Sequence, residues 1–419
     1  MSQFYFLPAD SILEIALNLS FRNIVNLCST SRKFNEVICN NESFWRQKFL
    51  RDYHFIPQNY SGSWRKLYLN YANVWVCGFN NYGQLGLGNN IRQLTFQSIP
   101  NLKARQVATG LWYSVFIDLH ENVGSCGYNN FGQLGLGDKK NRNTPTPIIG
   151  LKVQQVVTGY SHTIFIDMEN NVWACGQNKF GQLGLGDTKP RSRPSKIPHF
   201  KAQQASTGES HTVFLDLENN IWVCGRNDYG QLGLGNIKNI NVPTPIPNFK
   251  AKYISSGYSY TMVIDIENNV WGCGANSNRQ LGLGLDMQGN RPVLTKIPNF
   301  KAQQVSTGVY HTMMIDLDNN VWGCGWNSHG QLGLGNMKTV LYDLTPIPNF
   351  KAREISVGYK YTVMIDLENN VWGCGSNDYG QLGLGDLHER TVPTQVPNFK
   401  AYQVFAGESH TLMIGTKVV

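Results

Sequence analysis

The chain is poor in charge for its size. Only 15% of its 419 residues are Asp, Glu, Lys or Arg, and the formal net charge is +8. Residues 1–71 hold 8 Lys and Arg against 5 Asp and Glu, which leaves +3 there and +5 for the remainder. Nucleic-acid-binding domains concentrate Lys and Arg on one face. This small net positive charge argues against nucleic acid as the partner.

Long hydrophobic runs and targeting signals are also missing. No stretch approaches the roughly 18 apolar residues of a membrane span. The first residues carry Asp10 and Glu14 rather than a basic region ahead of an apolar one. The sequence therefore predicts a soluble protein inside the cell, in the cytoplasm or the nucleus, with no membrane contact.

Sequence motifs for catalysis and cofactor binding are absent as well. The chain has no Gly-x-x-x-x-Gly-Lys-Ser/Thr phosphate loop, no Gly-x-Ser-x-Gly nucleophile turn, no Cys-x-x-Cys and no Cys/His cluster at zinc spacing. We therefore predict that the protein is not an enzyme and holds no cofactor or metal.

Seven of the nine cysteines occupy one position of an internal repeat. Copies spread around a ring cannot come within the Cα separation of about 7 Å that a disulfide allows. We therefore expect the cysteines to be small buried thiols in a reducing compartment. The repeated ones are Cys77, Cys126, Cys175, Cys224, Cys273, Cys324 and Cys374.

Glycine, by contrast, is abundant, with 42 residues, and it marks the repeat. The segment Cys77-Gly-Phe-Asn-Asn-Tyr-Gly-Gln-Leu-Gly-Leu-Gly88 recurs from each of those cysteines, at spacings of 49, 49, 49, 49, 51 and 50 residues. In the third unit, residues 162–167 and 172–175 are predicted strands around a turn. A variable loop then leads to Pro198, at the junction between the loop and a last predicted strand at residues 202–206. About four short strands per period are typical of a propeller blade.

The two ends of the repeat array complement each other. The array opens within a unit, at residues 74–77, and closes after residues 407–414, the part that should precede 74–77. Pairing these segments would complete a seventh blade and remove both free sheet edges. The fold class is therefore predicted as mainly β, a closed seven-bladed β-propeller over residues 72–419. Its repeats, with Gly-x-x-His-Thr and Cys-Gly-x-Asn-x-x-Gly-Gln-Leu-Gly, resemble the regulator of chromosome condensation family, whose members are seven-bladed propellers with an interlocked closing blade.

Residues 1–50 have a different character, with apolar residues at helical spacing. Asn41 is a plausible cap for the last of several short helices, and residues 51–71 are predicted to be a linker ending in a helix. The series from Leu7-Pro8 to Phe44-Trp45-Arg46 resembles an F-box, so a small all-α F-box-like domain is predicted. That resemblance implies docking on the Skp adaptor of a Skp–cullin–F-box ubiquitin ligase, with adaptor-binding positions at Leu7, Pro8, Ile12, Leu13, Leu27, Phe34 and Trp45.

Two departures from the usual F-box pattern bear on affinity for the adaptor. Asn23 stands where Asp is common, and Thr30 stands where Val is common. The alternative interpretation of this segment is a helical cap that only plugs the propeller. Fifty residues of short helices form a small core, so the segment is expected to need a partner or the propeller to complete it.

Histidine and aspartate recur within the repeat, as a catalytic residue would not. His162, His211, His311 and His410 follow Gly-x-x, with Ser114, Tyr260 and Tyr361 assigned to the equivalent place in other units. We interpret this position as blade packing. The aspartates of Ile-Asp are interpreted as turn anchors, and they are Asp118, Asp167, Asp216, Asp265, Asp316 and Asp366.

The variable turn after each Gly is a better candidate for binding, because the scaffold leaves it free. Equivalent turns lie on one face, which would carry a ring of Tyr and Trp with some charges, typical of recognition surfaces. Ordinary solvated turns are the alternative. The predicted substrate-binding residues are Leu111, Trp112, Tyr160, Glu209, Tyr258, Val309, Tyr310, Tyr359, Lys360 and Glu408. Two basic loops, residues 139–142 and 189–196, suit either an acidic partner or solvent.

Three functions compete. The first is a non-catalytic substrate receptor of a Skp–cullin–F-box-type ligase, in a eukaryotic cell or a virus-infected host cell, with an unknown protein substrate. The second is guanine-nucleotide exchange on a small GTPase, which in the resembled family depends on a wedge inserted between strands, whereas these blades are uniform. The third is a chromatin-associated or scaffolding propeller. No unit has the Gly-Trp-Arg-His-Thr of the family's light sensor, which argues against sensing.

Overall fold

The computed structural model describes residues 7–19, 21–53, 62–285, 287 and 289–418. Within these ranges every α-helix precedes the first strand, and a π-helical turn at Asn35–Cys39 follows the third helix. The predicted cap is confirmed, because the Phe44 amide donates to Asn41 Oδ1 at 3.1 Å. Most of the predicted linker loop lies outside the described residues. The helices are α1 Ala9–Leu17, α2 Phe21–Thr30, α3 Arg32–Phe34, α4 Glu42–Tyr53 and α5 Trp64–Tyr71.

The rest of the chain is β-structure. Six long strands alternate with pairs of short ones, except where one long strand is divided into β8 and β9. The strands are β1 Asn73–Gly78, β2 Gln93–Thr109, β3 Tyr113–Asp118, β4 Asn122–Gly127, β5 Arg142–Thr158, β6 His162–Asp167, β7 Asn171–Gly176, β8 Arg191–Lys201, β9 Gln204–Thr207, β10 His211–Leu215, β11 Asn220–Gly225, β12 Ile240–Ser256, β13 Tyr260–Asp265, β14 Asn269–Gly274, β15 Arg291–Thr307, β16 His311–Asp316, β17 Asn320–Trp326, β18 Val340–Val357, β19 Tyr361–Asp366, β20 Asn370–Gly375, β21 Arg390–Ala406 and β22 His410–Lys417.

Each long strand belongs to two blades. The second half of β2 pairs with β3, β3 pairs with β4, and β4 pairs with the first half of β5, all antiparallel. The second half of β5 then becomes the inner strand of the next blade, where it pairs with β6. Repeated along the described part of the chain, this pairing pattern gives seven four-stranded blades.

The last blade joins the two ends of the array, as predicted. β1 pairs with β22 antiparallel, from Val74 opposite Ile414 to Gly78 opposite His410. β22 also pairs with β21, and β1 pairs with β2. The terminal strands thus satisfy each other's hydrogen bonds and leave neither as a free edge.

The structure corrects one detail of the blade. Pro198 was expected at a junction between a loop and a strand, but it lies inside β8, the outer strand of its blade, together with Pro194. An outer strand has one row of amides with no partner strand, so a residue without an N–H costs no ladder hydrogen bond there.

Apolar side chains from neighbouring blades pack against each other. In one cluster Ile164 and Val172 of one blade pack with Phe214 and Cys224 of the next, and all four are fully buried. The seven repeated cysteines are buried and free, as predicted. Cys28 and Cys39 were expected to be thiols as well, but they form a disulfide between α2 and the π-helical turn, with a Cα separation of 6.2 Å.

The helical segment has a core of its own. Trp45 is almost fully buried at its centre, and its indole Nε1 donates to Cys39 O at 3.0 Å. Tyr402 of the propeller also packs on this core. The buried members are Ile12, Ala16, Ile24, Phe34, Ile38, Cys39, Phe44, Trp45, Phe49, Tyr68 and Tyr71. The predicted domain boundaries at residues 50 and 71 stay a prediction.

Candidate binding faces of the ring

Turns at opposite ends of each short strand define two faces of the ring. β3, for example, follows the turn at residues 110–112 and precedes the turn at residues 119–121. We call the side with turn 110–112 and its equivalents the upper face, and the other side the lower face. Because neighbouring strands are antiparallel, the Gly-Gln-Leu-Gly-Leu-Gly loops also reach the upper face.

The upper-face turns bring most of the predicted substrate-binding residues together around the centre of the ring. A cavity of about 210 Å³ lies there, and the first residue of each turn lines it. Trp112, Tyr310 and Lys360 stand at the second position and do not line this cavity; Tyr310 instead lines a neighbouring groove. The residues that line the cavity are Leu111, Tyr160, Glu209, Tyr258, Val309, Tyr359 and Glu408.

Aromatic rings connect these positions across the blades. The Tyr160 and Tyr258 rings meet edge-on with centroids 5.0 Å apart, and Tyr310 lies 6.5 Å from Tyr258 and 6.3 Å from Tyr359. The Trp326 ring continues this series of contacts, with its centroid 5.8 Å from that of Tyr310. These five rings therefore form one connected aromatic surface on part of the upper face rather than a set of separate turns.

Sequence reasoning missed a second set of aromatic residues on this face. Tyr82 stacks on Trp112 at 5.0 Å and meets Tyr128 edge-on at 5.0 Å, while Trp112 lies 5.5 Å from Tyr128. Tyr82, Tyr128 and Trp326 follow the repeated Cys-Gly, at positions that vary from unit to unit. That variation is the same signal that identified the turns, and it would have found them.

Charged groups on the upper face are partly buried among these rings. Tyr258 Oη donates to Glu209 Oε1 at 2.8 Å, and Arg226 Nη1 lies 3.1 Å from Glu209 Oε2. Burial raises the pKa of Glu408 to about 7, although the Trp112 indole and the Lys360 ammonium both favour its ionised form. The Lys360 ammonium lies 5.5 Å from the Trp326 ring centroid and 5.4 Å from that of Tyr359.

The repeated histidines link neighbouring blades. His162 Nε2 lies 3.0 Å from Thr212 Oγ1 of the next blade, and burial lowers the pKa of this imidazole to about 3. The interpretation as blade packing is confirmed, with one correction to the alignment. Tyr113 pairs opposite Gly127 as His162 does opposite Gly176, so Tyr113 and not Ser114 is the histidine equivalent. Ser114 takes the neighbouring Thr position and contacts the ring of His410 at 3.2 Å.

The repeated aspartates anchor the lower-face turns, as predicted. Asp216 accepts hydrogen bonds from the amides of Glu218 and Asn220, from Asn220 Nδ2 and from Trp222 Nε1, at 2.8–3.0 Å. Burial acts to raise the pKa of this carboxyl, but the hydrogen bonds outweigh it and the net shift is downward. The carboxylate thus holds both strands of the hairpin to its turn.

The two basic loops are partly neutralised within the chain. Arg142 Nη2 lies 2.6 Å from Asp138 Oδ2, and Arg191 Nη2 lies 2.6 Å from Asp187 Oδ2. These pairs favour the interpretation of the loops as solvated. In the described ranges no three His, Cys, Asp or Glu side chains come together in a way that could hold a metal ion. None of the described helices is long and apolar enough to cross a bilayer.

The predicted adaptor-binding residues divide into a buried and an accessible group. Ile12, Phe34 and Trp45 are at most 2% exposed and support the helical core. Pro8 is exposed, and a half-buried group lies beside the core. That half-buried group consists of Leu7, Leu13 and Leu27.

The helical segment lies against the lower face of the first blade. Arg22 Nη1 approaches Glu121 Oε2 to 3.2 Å, and the Phe21 ring lies 5.7 Å from the His120 ring. Both contacts fall on the turn that carries Leu119, which is 7% exposed. The upper face is on the opposite side of the ring, away from these contacts.

A propeller of repeated blades joined to a short helical segment defines the class of protein, and comparison with known families agrees. The family model of the RCC1-like domain matches residues 60–302, more than half of the chain. "Regulator of chromosome condensation (RCC1) repeat" matches residues 318–365 and 368–414, and in a second form residues 302–331 and 352–381. "F-box-like" matches residues 4–51. The chain belongs to the RCC1-like domain family and carries an F-box-like domain at its N-terminus.

Solved structures show the same fold at low identity. Human WBSCR16 is 19% identical with a TM-score of 0.75, over 83% of this chain and 99% of that one. Yeast RCC1 (Prp20), in a crystal structure bound to Kap60, is 21% identical with a TM-score of 0.76, over 83% and 89%. Another structure of Prp20p, from Saccharomyces cerevisiae, is 21% identical with a TM-score of 0.75 and covers 83% of this chain and 92% of that one. A search of curated proteins finds no match. Domains of these two kinds are typically adaptors or exchange factors rather than catalysts.

Proposed function

We propose that this chain is a non-catalytic substrate-recognition subunit of a Skp–cullin–F-box-type ubiquitin ligase, working in the cytoplasm or nucleus of a eukaryotic cell or of a virus-infected host cell. The F-box-like segment binds a Skp-type adaptor, which connects it to a cullin scaffold, and the propeller binds a protein substrate. The main support is the placement of the two parts. The described residues of the F-box-like segment contact the lower face and do not cover the aromatic upper face.

The helical segment has the properties that an adaptor-docking domain needs. Its own core is closed without large help from the ring, so its outer surface is available to another protein. Leu7, Leu13 and Leu27 are half-buried and Pro8 is exposed, which gives a partner apolar area to cover. The buried Ile12, Phe34 and Trp45 keep these residues in place.

The upper face has the composition of a protein-binding surface. Tyr and Trp dominate it, and its few charges are partly desolvated. Large aromatic side chains bury much area at a small cost in side-chain entropy, which is why they dominate binding hot spots. The ten predicted substrate-binding residues remain a proposal, to be tested on this face.

Adaptor binding is tested with the full chain, co-expressed with a tagged Skp-type adaptor. We expect the wild type to be retained and Leu13→Lys to lose at least tenfold in retention, because a lysine in a covered apolar contact is desolvated without a partner. Ile149→Lys, at a propeller residue that is 89% exposed, is the matched control and should be retained like the wild type. The proposal is wrong if the wild-type chain, correctly folded by circular dichroism, never retains the adaptor.

Guanine-nucleotide exchange is the second candidate, and the Saccharomyces cerevisiae protein with the same fold binds Gsp1p and histones. At 21% identity the likeness supports the fold alone. A nucleotide-release assay on small GTPases separates the two candidates: the ligase proposal expects no acceleration. Steeply salt-dependent DNA binding would instead favour a chromatin-associated role.

A further inference from the structure

The upper face contains one aromatic cluster without a positive charge of its own. Tyr82, Trp112 and Tyr128 have ring centroids within 5.0–5.5 Å of one another. Tyr82 comes from the closing blade, and Trp112 and Tyr128 come from the blade that follows it. All three rings are half-buried, so part of each ring remains open to a ligand. A ring face carries partial negative charge and attracts cations.

Elsewhere on the same face the protein supplies such cations itself. Arg226 lies 5.0 Å from the Phe180 ring and 5.9 Å from that of Tyr229. Lys360 lies over Trp326 and Tyr359, as described above. Among the described residues no Lys or Arg lies over the rings of Tyr82, Trp112 or Tyr128. These internal cation–aromatic pairs show how the rings of Tyr82, Trp112 and Tyr128 can bind a cation from a partner.

A carboxylate lies beside this aromatic cluster. Glu408 is half-buried and lines the central cavity together with Leu111, the residue before Trp112. The Trp112 indole is near enough to favour the ionised form of this carboxyl. Lys360 favours the ionised form of Glu408, but its ammonium is engaged with the rings of Trp326 and Tyr359. By contrast, the other acid of the cavity, Glu209, already has Arg226 as its partner.

We propose that Tyr82, Trp112, Tyr128 and Glu408 form a subsite for an arginine side chain of the protein substrate. A guanidinium is planar, stacks on aromatic rings and donates two parallel hydrogen bonds to a carboxylate, so it matches both parts of this cluster better than an ammonium does. This proposal rests on the proposed function and specifies its substrate class as a segment that presents arginine to the upper face.

The test uses the full chain labelled with 5-fluorotryptophan and read by fluorine NMR. The Trp112 resonance is assigned as the one lost in Trp112→Phe. Acetyl-arginine amide is titrated against acetyl-citrulline amide, which has nearly the same shape without the charge. We expect a saturable shift of the Trp112 resonance with the arginine probe and at least tenfold weaker binding of the citrulline probe.

Two matched variants locate the binding site of the probe. Glu408→Gln should weaken binding of acetyl-arginine amide by about tenfold, as expected for loss of a charge-assisted pair. Glu368→Gln, at an exposed residue of a lower-face turn, should change it by less than twofold, because that carboxylate lies on the other side of the ring. Unchanged resonances of the other tryptophans show that each variant is folded.

The proposal is overturned if both probes shift Trp112 equally, if neither does, or if Glu408→Gln binds the arginine probe like the wild type. These outcomes are independent of the ligase proposal, because adaptor retention is read on the helical segment and not on the upper face. A chain that retains the adaptor but ignores arginine would keep the ligase function and lose this subsite.

Discussion

The lower face of the ring is uniform and the upper face is varied, although every repeat contributes a turn to both. On the lower face the turn side chains hold the blade together through the aspartate anchor and its hydrogen bonds. On the upper face main-chain groups close the turn, as when the Gly110 amide donates to Tyr113 O at 2.9 Å. Side chains that carry no structural role are free to vary, so variation within the repeat marks the surface available to partners.

One lower-face turn departs from this uniformity, and it is the turn that the helical segment contacts. Glu121 has a φ of 66°, where the other five turns have Asn at a similar angle. Asn tolerates this left-handed conformation better than Glu does, and Glu121 forms the ion pair with Arg22. The departure from the repeat thus coincides with the contact between the two parts of the molecule.

The largest expected difference between the faces is in stability. Asp316 accepts four hydrogen bonds at 2.8–2.9 Å, from the Asp318 and Asn320 amides, Asn320 Nδ2 and Trp322 Nε1. Asp316→Ala should lower the free energy of unfolding by about 2–4 kcal/mol in urea denaturation. Glu209→Ala, on the upper face, should lower it by less than about 1 kcal/mol. Equal losses would contradict the assignment of structural work to the lower face.

The contribution of Asp316 should also depend on pH. Burial acts to raise the pKa of this carboxyl, but the bonds from Asn320 and Trp322 outweigh it, so the folded-state pKa is lowered. The stabilisation is therefore present near neutral pH and is lost as the pH falls through the carboxyl range, below about 4. Unfolding curves of the wild type and Asp316→Ala should converge at acidic pH.

The contact with the helical segment lowers the exposure of one of six equivalent apolar residues on the lower-face turns. Leu119 is 7% exposed, whereas Leu217 is 48% exposed on an otherwise similar turn. Leu119→Ser should destabilise the protein by about 2 kcal/mol, since it removes buried apolar area and buries a hydroxyl. Leu217→Ser should change stability by less than about 0.5 kcal/mol. Thermal melts of the two full-length variants decide, and equal melting temperatures would mean that the helical segment does not cover Leu119 in solution.

A residue on an inner strand also departs from the repeat, because Glu354 stands where a neighbouring blade has Gln304. Glu354 Oε1 accepts from the Val404 amide at 3.0 Å, where Gln304 makes the equivalent bond to Ile355. Burial raises the pKa of Glu354 to about 7, against the opposing effect of Arg353. A raised carboxyl pKa costs stability as the pH rises from the unfolded value near 4.5 through 7.

Glu354→Gln should therefore raise the free energy of unfolding by about 1–2 kcal/mol at pH 8 and by almost nothing near pH 5. Gln304→Glu is the reverse substitution in a neighbouring blade and should produce the opposite change at pH 8. Urea titrations at both pH values measure the difference. A gain at pH 5 as large as at pH 8 would exclude ionisation as the cause.

The smallest effect is expected at the ion pair between the two parts. Arg22→Ala should lower stability by less than about 1 kcal/mol, because the arginine is partly exposed. Glu121→Asn loses the same pair but relieves the left-handed turn, so its net effect should be closer to zero. Both variants should speed proteolysis within the helical segment while the propeller stays resistant. Resistance unchanged from the wild type would show that apolar contacts alone hold the segment.

The sequence by itself determined the number and order of the blades, the closure by the terminal strands, the helical character of the N-terminal segment and the packing roles of the repeated His and Asp. These properties follow from periodicity and local turn chemistry, which are present in every copy of the repeat. The position of Pro198 was missed because an outer strand and a loop have similar composition, and the tolerance of an edge for proline is visible only when the neighbours are known.

Only the tertiary structure decided which residues from distant repeats meet. Tyr82 and Glu408 are separated by most of the chain, yet both stand beside Trp112, because closing the ring brings the last blade next to the first. The disulfide between Cys28 and Cys39 and the docking of Arg22 on Glu121 likewise depend on how helices pack, which no single segment specifies. Local sequence sets the elements, but long-range packing sets the neighbours that create a site.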